Sequence, residues 1–132
     1  MRISRSTGYG LLAVGYIAKN LKDQKIILSQ SISKEYGIPL EYLLKILQQL
    51  VRANILRSKR GPRGGFSLAM NPKNITMLQI IEAVDGPMSG HLQLFDQPVK
   101  EKFSKKAEAA YVKAVNQSRA VFQKTKMSDL LA

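Results

Sequence analysis

The chain has 132 residues, 45% of them hydrophobic, and 21 Lys and Arg against 9 Asp and Glu, giving a net charge of +12 and a pI near 10.1. That length suits a single domain with a real core, and the absence of cysteine excludes disulfides, thiolate metal sites and cysteine nucleophiles. No apolar run approaches the roughly 20 residues that span a bilayer, and MRISRSTGYG lacks the apolar core of a signal peptide, so a soluble, cytoplasmic protein with no membrane contact is expected.

The positive charge is unevenly placed. Residues 1–70 carry 12 Lys/Arg against 3 Asp/Glu, whereas residues 71–132 carry 9 against 6. A balance this basic usually serves a polyanion, and the first half is the polyanion half. A merely solubilising positive surface is the bland alternative.

Tyr9, Leu12, Ala13, Tyr16 and Ile17 recur at three- and four-residue spacing, predicting an amphipathic helix that ends near Asn20, with Arg2 and Arg5 at its start. The apolar stretch 26–28 precedes Ser29, expected to cap a short helix over about Gln30 to Tyr36, which Gly37 closes in the left-handed conformation. Pro39 opens a third helix, with Leu40, Leu43, Leu44, Leu47, Leu50 and Val51 as its apolar stripe and Asn54 as its stop. Two short helices joined by a tight glycine turn make a helix-turn-helix pattern.

Residues 55–59 and 66–70 alternate in polarity and predict a hairpin whose apolar face, including Leu56, Ser58, Phe66, Ser67 and Leu68, covers the helices. Its tip and flanks read RSKRGPRGGF, four cations and three glycines in ten positions. Beside a recognition helix such a tip is expected to act as a wing: glycine lets the backbone approach a phosphate, Pro62 stiffens the turn, and Arg60 and Arg63 suit a narrow minor groove. A nucleotide-phosphate loop would need GxxxxGK[ST] between strand and helix, and this stretch has no such lysine. RNA binding through a basic hairpin is the rival reading, because phosphate contacts do not distinguish the two polymers.

Thr76 and Gln79 match a capping box, which predicts a helix over about Met77 to Val84 closed by Gly86 and Pro87. Pro98 is read as opening a long helix with Val99, Phe103, Ala107, Ala110, Tyr111, Ala114, Val115, Ser118, Val121 and Phe122 on one face. Some 27 residues at 1.5 Å each would reach about 40 Å, longer than the domain is wide, so the stripe calls for a second chain unless it folds back on the first helix. The single histidine, His91, cannot hold a metal alone, no HExxH or GxSxG occurs, and Glu82 and Asp85 lack a partner base. No catalytic residue, metal site or cofactor is expected.

MRISRSTGYGLLAV, YGIPLEYLLKILQQLVRANILRSKRGPRGGFSLA and ITMLQIIEAVDGP together resemble the Rrf-two family of bacterial winged-helix transcription regulators, which includes iron–sulfur sensors and cysteine-metabolism repressors. The wing is the most specific part: the family shows Arg-Gly-Pro-Gly-Gly-Gly-Tyr, and this chain has Arg60, Gly61, Pro62, Arg63, Gly64, Gly65 and Phe66. It departs from the pattern at Leu44 and Lys45, where relatives often carry Glu-Gln, and at Ser6 to Tyr9, where Lys-Gly-Arg-Tyr is usual. The loop MSGHLQLFDQPVK lacks the three cysteines of the sensing members.

The resemblance implies a mainly α fold with a small β-hairpin, an α+β winged helix-turn-helix over residues 1–87. A loop at 88–97 and a dimerisation helix and tail at 98–132 would follow. It also implies a homodimer that binds an inverted-repeat operator in double-stranded DNA; a repressor role is expected, and an effector, if there is one, is expected to be a small molecule or a protein. The expected DNA contacts are Arg2, Arg5, Glu41, Tyr42, Lys45, Gln48, Lys59, Arg60, Gly61 and Arg63. The expected dimer contacts are Val99, Phe103, Ala107, Tyr111, Val115 and Phe122.

Overall fold

The computed structural model describes residues 3–20, 26–62, 64–88 and 101–132. Helix α1 runs over Arg5–Lys19, capped by the Ser4 hydroxyl, which accepts from the Thr7 amide at 3.1 Å. Ser4 is itself held by Asp85: the backbone N–H donates to the carboxylate at 3.3 Å and the hydroxyl donates to it as well. Burial alone would raise the Asp85 pKa, but hydrogen bonds from Ser4 and Thr7 outweigh it and hold the carboxyl below the usual range.

Helix α2 spans Ser29–Tyr36, and Gly37 ends it at φ 65°. The expected cap at Ser29 is not made. Leu28 is the N-cap residue without a side-chain bond, and the Ser29 hydroxyl donates to the Gln30 side chain at 3.4 Å. The reason lies upstream, where Ile27 pairs with Phe66 through reciprocal N–H···O bonds of 2.8 Å, so Leu28 leaves this bridge in an extended conformation and the helix begins one residue early.

Helix α3, Leu40–Arg52, follows after three residues and buries Leu43, Ile46, Leu47 and Leu50. Asn54 carries the turn after it at φ 60°, a left-handed position that asparagine tolerates better than most side chains. Strands β1, Leu56–Lys59, and β2, Gly65–Leu68, pair antiparallel, with Leu56 opposite Leu68 and Ser58 opposite Phe66. Leu56 and Phe66 face the core. Ser67 does not share that face, because its partner is Arg57 and the side-chain period of a strand is two.

A short 3-10 turn at Pro72–Asn74 leads into helix α4, Met77–Asp85, with the expected capping box between Thr76 and Gln79. Helix α5 spans Lys102–Lys124, 23 residues with Glu101 as N-cap; residues 98–100 lie outside those described. A final helix, α6, covers Met127–Leu131. It is clipped back on the start of α4 by Met77 N–H to Thr125 O at 2.7 Å and Met127 N–H to Ile75 O at 2.8 Å.

The core lies where α1, α3 and α4 meet, closed by the hairpin and by Met127. Ala13, Val14 and Ile17 of α1, Leu43, Leu47 and Leu50 of α3, and Ile80 of α4 are all at most 1% exposed. Gly10 lets α1 and α4 approach, since a Cβ there would sit 3.3 Å from the Val84 side chain. The architecture is a winged helix followed by a long helix, as the pattern of elements predicts.

Candidate nucleic-acid interface

Helix α3 divides cleanly. With its leucines buried, the opposite side presents Glu41, Lys45, Gln48 and Arg52, all exposed and spaced four, three and four residues apart along one line of the helix. Arg52 ends that line nearest the wing, and the sequence reading did not single it out as a contact. Its signal was available: it continues the i, i+4, i+7, i+11 series that begins at Glu41.

Tyr42 stands about 100° from that line around the helix. Its hydroxyl hydrogen-bonds to the Ser6 hydroxyl, and its ring meets Tyr9 edge-on with centroids 5.7 Å apart. The pair locks the start of α3 to the start of α1. Tyr42 is 40% exposed, so one side of the ring remains accessible.

The wing is built by local chemistry. Gly61 has φ 105°, open to glycine and strained for other residues, and the Gly64 N–H donates to the Gly61 carbonyl at 2.8 Å to close the turn. Gly64 and Gly65 are required for a different reason from the approach to phosphate expected of them. A Cβ on Gly64 would lie 2.3 Å from the Lys59 carbonyl oxygen, and one on Gly65 would lie 2.6 Å from that of Ile27. These two glycines let the wing fold on itself and press against the bridge residue Ile27.

Between the wing, the start of α2 and the end of α3 lies a cleft of about 580 Å³. Gln48, Arg52, Lys59, Arg60 and Gly61 line it, and among the described residues no acidic one does. The structure therefore brings together four of the sequence-predicted contacts, Gln48, Lys59, Arg60 and Gly61, and adds Arg52. Glu41 and Lys45 continue the same face along α3. Arg5 stands elsewhere, at the rim of an apolar groove between α1 and α6 that Leu12, Met127 and Leu130 line, with Lys19 on its border. Arg2 and Arg63 lie outside the described residues.

Helix α5 carries two adjacent seams where the sequence suggested one. Ser104, Tyr111, Val115, Ser118 and Phe122 turn inward and are buried or half-buried, the helix packing on α4; Val115 is 6% exposed. Arg119 braces this contact, its guanidinium donating to the Glu82 carboxylate at 3.4 Å, and the Met88 amide donates to the other oxygen of the same group at 2.9 Å. Phe103, Ala107, Ala110, Ala114 and Val121 form the second seam and are exposed, Phe103 at 68% and Val121 at 61%. Val99, and the loop from residue 89 onward with His91, lie outside the described residues.

A family model described as Rrf2, iron-dependent transcriptional regulator, matches residues 3–132. The HTH-type transcriptional regulator BadM of Rhodopseudomonas palustris is 44% identical over 81 residues, 61% of this chain and 51% of that protein. The HTH-type transcriptional regulator IscR of Aliivibrio salmonicida is 32% identical over 85 residues, 64% of this chain and 50% of that one. The chain thus spans about half the length of the curated relatives it matches.

Among solved structures, CymR, the global cysteine regulator of B. subtilis, superposes with a TM-score of 0.83 at 25% identity, over 99% of this chain and 96% of that one. T. potens IscR superposes at 0.76 with 22% identity, over 99% and 86%, a likeness of fold.

The iron in that family description can be tested against the residues present. An iron–sulfur cluster held by thiolates needs cysteines, and the chain has none. Among the described residues no three of His, Asp and Glu come together as a ligand set. The described residues do not fit the metal.

Proposed function

This chain belongs to the Rrf2 family of transcriptional regulators, and from the face formed by α3 and the wing we propose that it binds double-stranded DNA as a homodimer and represses transcription from an inverted-repeat operator. The observation that carries the reading is the exposed line Glu41, Lys45, Gln48, Arg52, which runs into a cationic cleft beside the wing. A helix of 13 residues with an outward line of polar side chains suits a major groove, where side chains read base edges. Arg60 on the wing suits the adjacent minor groove or its phosphates.

The exposed seam of α5 supports the dimer. Phe103, Ala107, Ala110, Ala114 and Val121 recur at spacings of three, four and seven, the pattern of a helix that meets another helix. With its small residues central, the seam allows close approach of a second copy. Two copies would present two α3 helices, which is what an inverted repeat requires. With no thiolate available for a cluster, control falls to a small-molecule or protein effector acting at the 88–97 loop or at α5.

A direct test is competition between nucleic acids. A pool of random 30-base-pair duplexes and a structured RNA of equal charge are offered to the purified chain at physiological salt. Specific DNA binding predicts enrichment of a two-fold symmetric duplex, held at least a thousandfold more tightly than the RNA. Equal affinity for the RNA would favour a basic RNA-binding module instead.

A further inference from the structure

We propose that the cleft between the wing and the C-terminal end of α3 seats one backbone phosphate of each DNA half-site, with Arg52 as its main cation, and that this contact sets the register in which α3 reads bases. The inference rests on the DNA-binding reading above.

Geometry is the first support. If α3 lies in a major groove and Arg60 reaches the adjacent minor groove, the sugar–phosphate strand that separates the two grooves must pass between them. The cleft lies there, with Gln48 and Arg52 on one side and Ser58, Lys59, Arg60 and Gly61 on the other. Arg52 is four residues beyond Gln48 on the same line, about 6 Å further along the axis, and so past the stretch that faces the bases.

Charge is the second. Arg52, Lys59 and Arg60 converge on one concavity, and among the described residues no acid lines it and none of the three pairs with a carboxylate. Like charges held around a cleft repel, and a phosphodiester relieves the repulsion. A guanidinium suits the task, because its fixed fork can donate two hydrogen bonds to one phosphate.

The far wall is firm: Gly65 packs so closely on Ile26 and Ile27 that a Cβ would meet both at 2.6 Å, which fixes the wing against the bridged segment before α2. A contact of this kind positions the protein and carries no sequence information.

The test uses the full chain and a duplex that it has itself enriched from a random pool. Arg52→Ala is expected to weaken binding about tenfold, to lower the slope of log affinity against log salt by about one, and to leave the enriched sequence unchanged. Arg52→Lys should keep the slope and recover part of the affinity, which separates charge from any effect on the end of α3; thermal unfolding of both variants should match the parent. A duplex set with one neutral methylphosphonate at each position in turn should reveal one phosphate per half-site where the parent loses affinity and Arg52→Ala loses none.

The same chemistry could come from free phosphate, so inorganic phosphate at constant ionic strength is a further arm, expected not to compete. Binding by Arg52→Ala within twofold of the parent at an unchanged slope, equal methylphosphonate penalties in parent and variant at every position, or selective competition by inorganic phosphate would each overturn the seat. Failure of the parent to bind any duplex would instead remove the DNA reading beneath it.

Discussion

Helices α3 and α5 are both amphipathic, but they turn different chemistry outward. In α3 the apolar side is covered within the chain and the free side is polar, Glu41, Lys45, Gln48 and Arg52. In α5 the packed side holds Tyr111, Val115 and Phe122, and an adjoining free side is apolar, Phe103, the alanines and Val121. A surface left polar and cationic suits a polyanion, and a surface left apolar suits a chain with an apolar surface of its own. The chain thus presents two surfaces whose chemistry does not overlap.

The comparison can be broken first at its buried sides. Leu47, fully buried in α3, should cost about 2–5 kcal/mol of folding free energy when truncated to alanine, seen as a lower urea midpoint. Phe103→Ala should leave the midpoint of the isolated subunit nearly unchanged, since the ring is 68% exposed. A loss at Phe103 equal to that at Leu47 would mean that the exposed seam is part of the subunit's own core.

Next comes assembly. Phe103→Asp combined with Val121→Asp should convert the proposed dimer to monomer by light scattering, because each places an unpaired charge in an apolar seam. DNA affinity should fall with it. A dimer that persists would place the seam elsewhere on α5 or on the α1–α6 groove.

At the wing, Arg60→Ala should weaken duplex binding by about 1–3 kcal/mol and lower the salt slope by about one, with lost discrimination confined to flanking A·T-rich positions. A variant that matches the parent in both would make the tip a solvated cationic loop. The smallest effect expected is none at all: anaerobically purified protein should be colourless, and its DNA affinity should not respond to iron chelation, because no thiolate can ligate a cluster. A visible absorption band would contradict this.

Features fixed by neighbouring residues were legible from the chain alone. The Thr76–Gln79 capping box, the left-handed Gly37 and the leucine stripe of α3 each depend on residues within a turn or two, and all three occur as expected. Features that depend on distant partners were not. Ile27 becomes strand-like only because Phe66, 39 positions on, offers its backbone, and this moves the start of α2 off the Ser29 cap.

The return of α6 likewise depends on Ile75 and Met77. On α5, two apolar seams about 100° apart read as one broad stripe until α4 covers one of them. Gly64 and Gly65 looked like concessions to a ligand, whereas the backbone of the wing itself requires them.

The division of labour along α3 is tested most directly by what the protein selects. Parent, Lys45→Ala, Gln48→Ala and Arg60→Ala are each used to enrich duplexes from one random pool, and the bound sets are sequenced. The parent should enrich an inverted repeat; the Lys45 and Gln48 variants should change which bases are preferred at central half-site positions, and the Arg60 variant should keep them. Identical central preferences for all four proteins would contradict base reading by the polar face of α3.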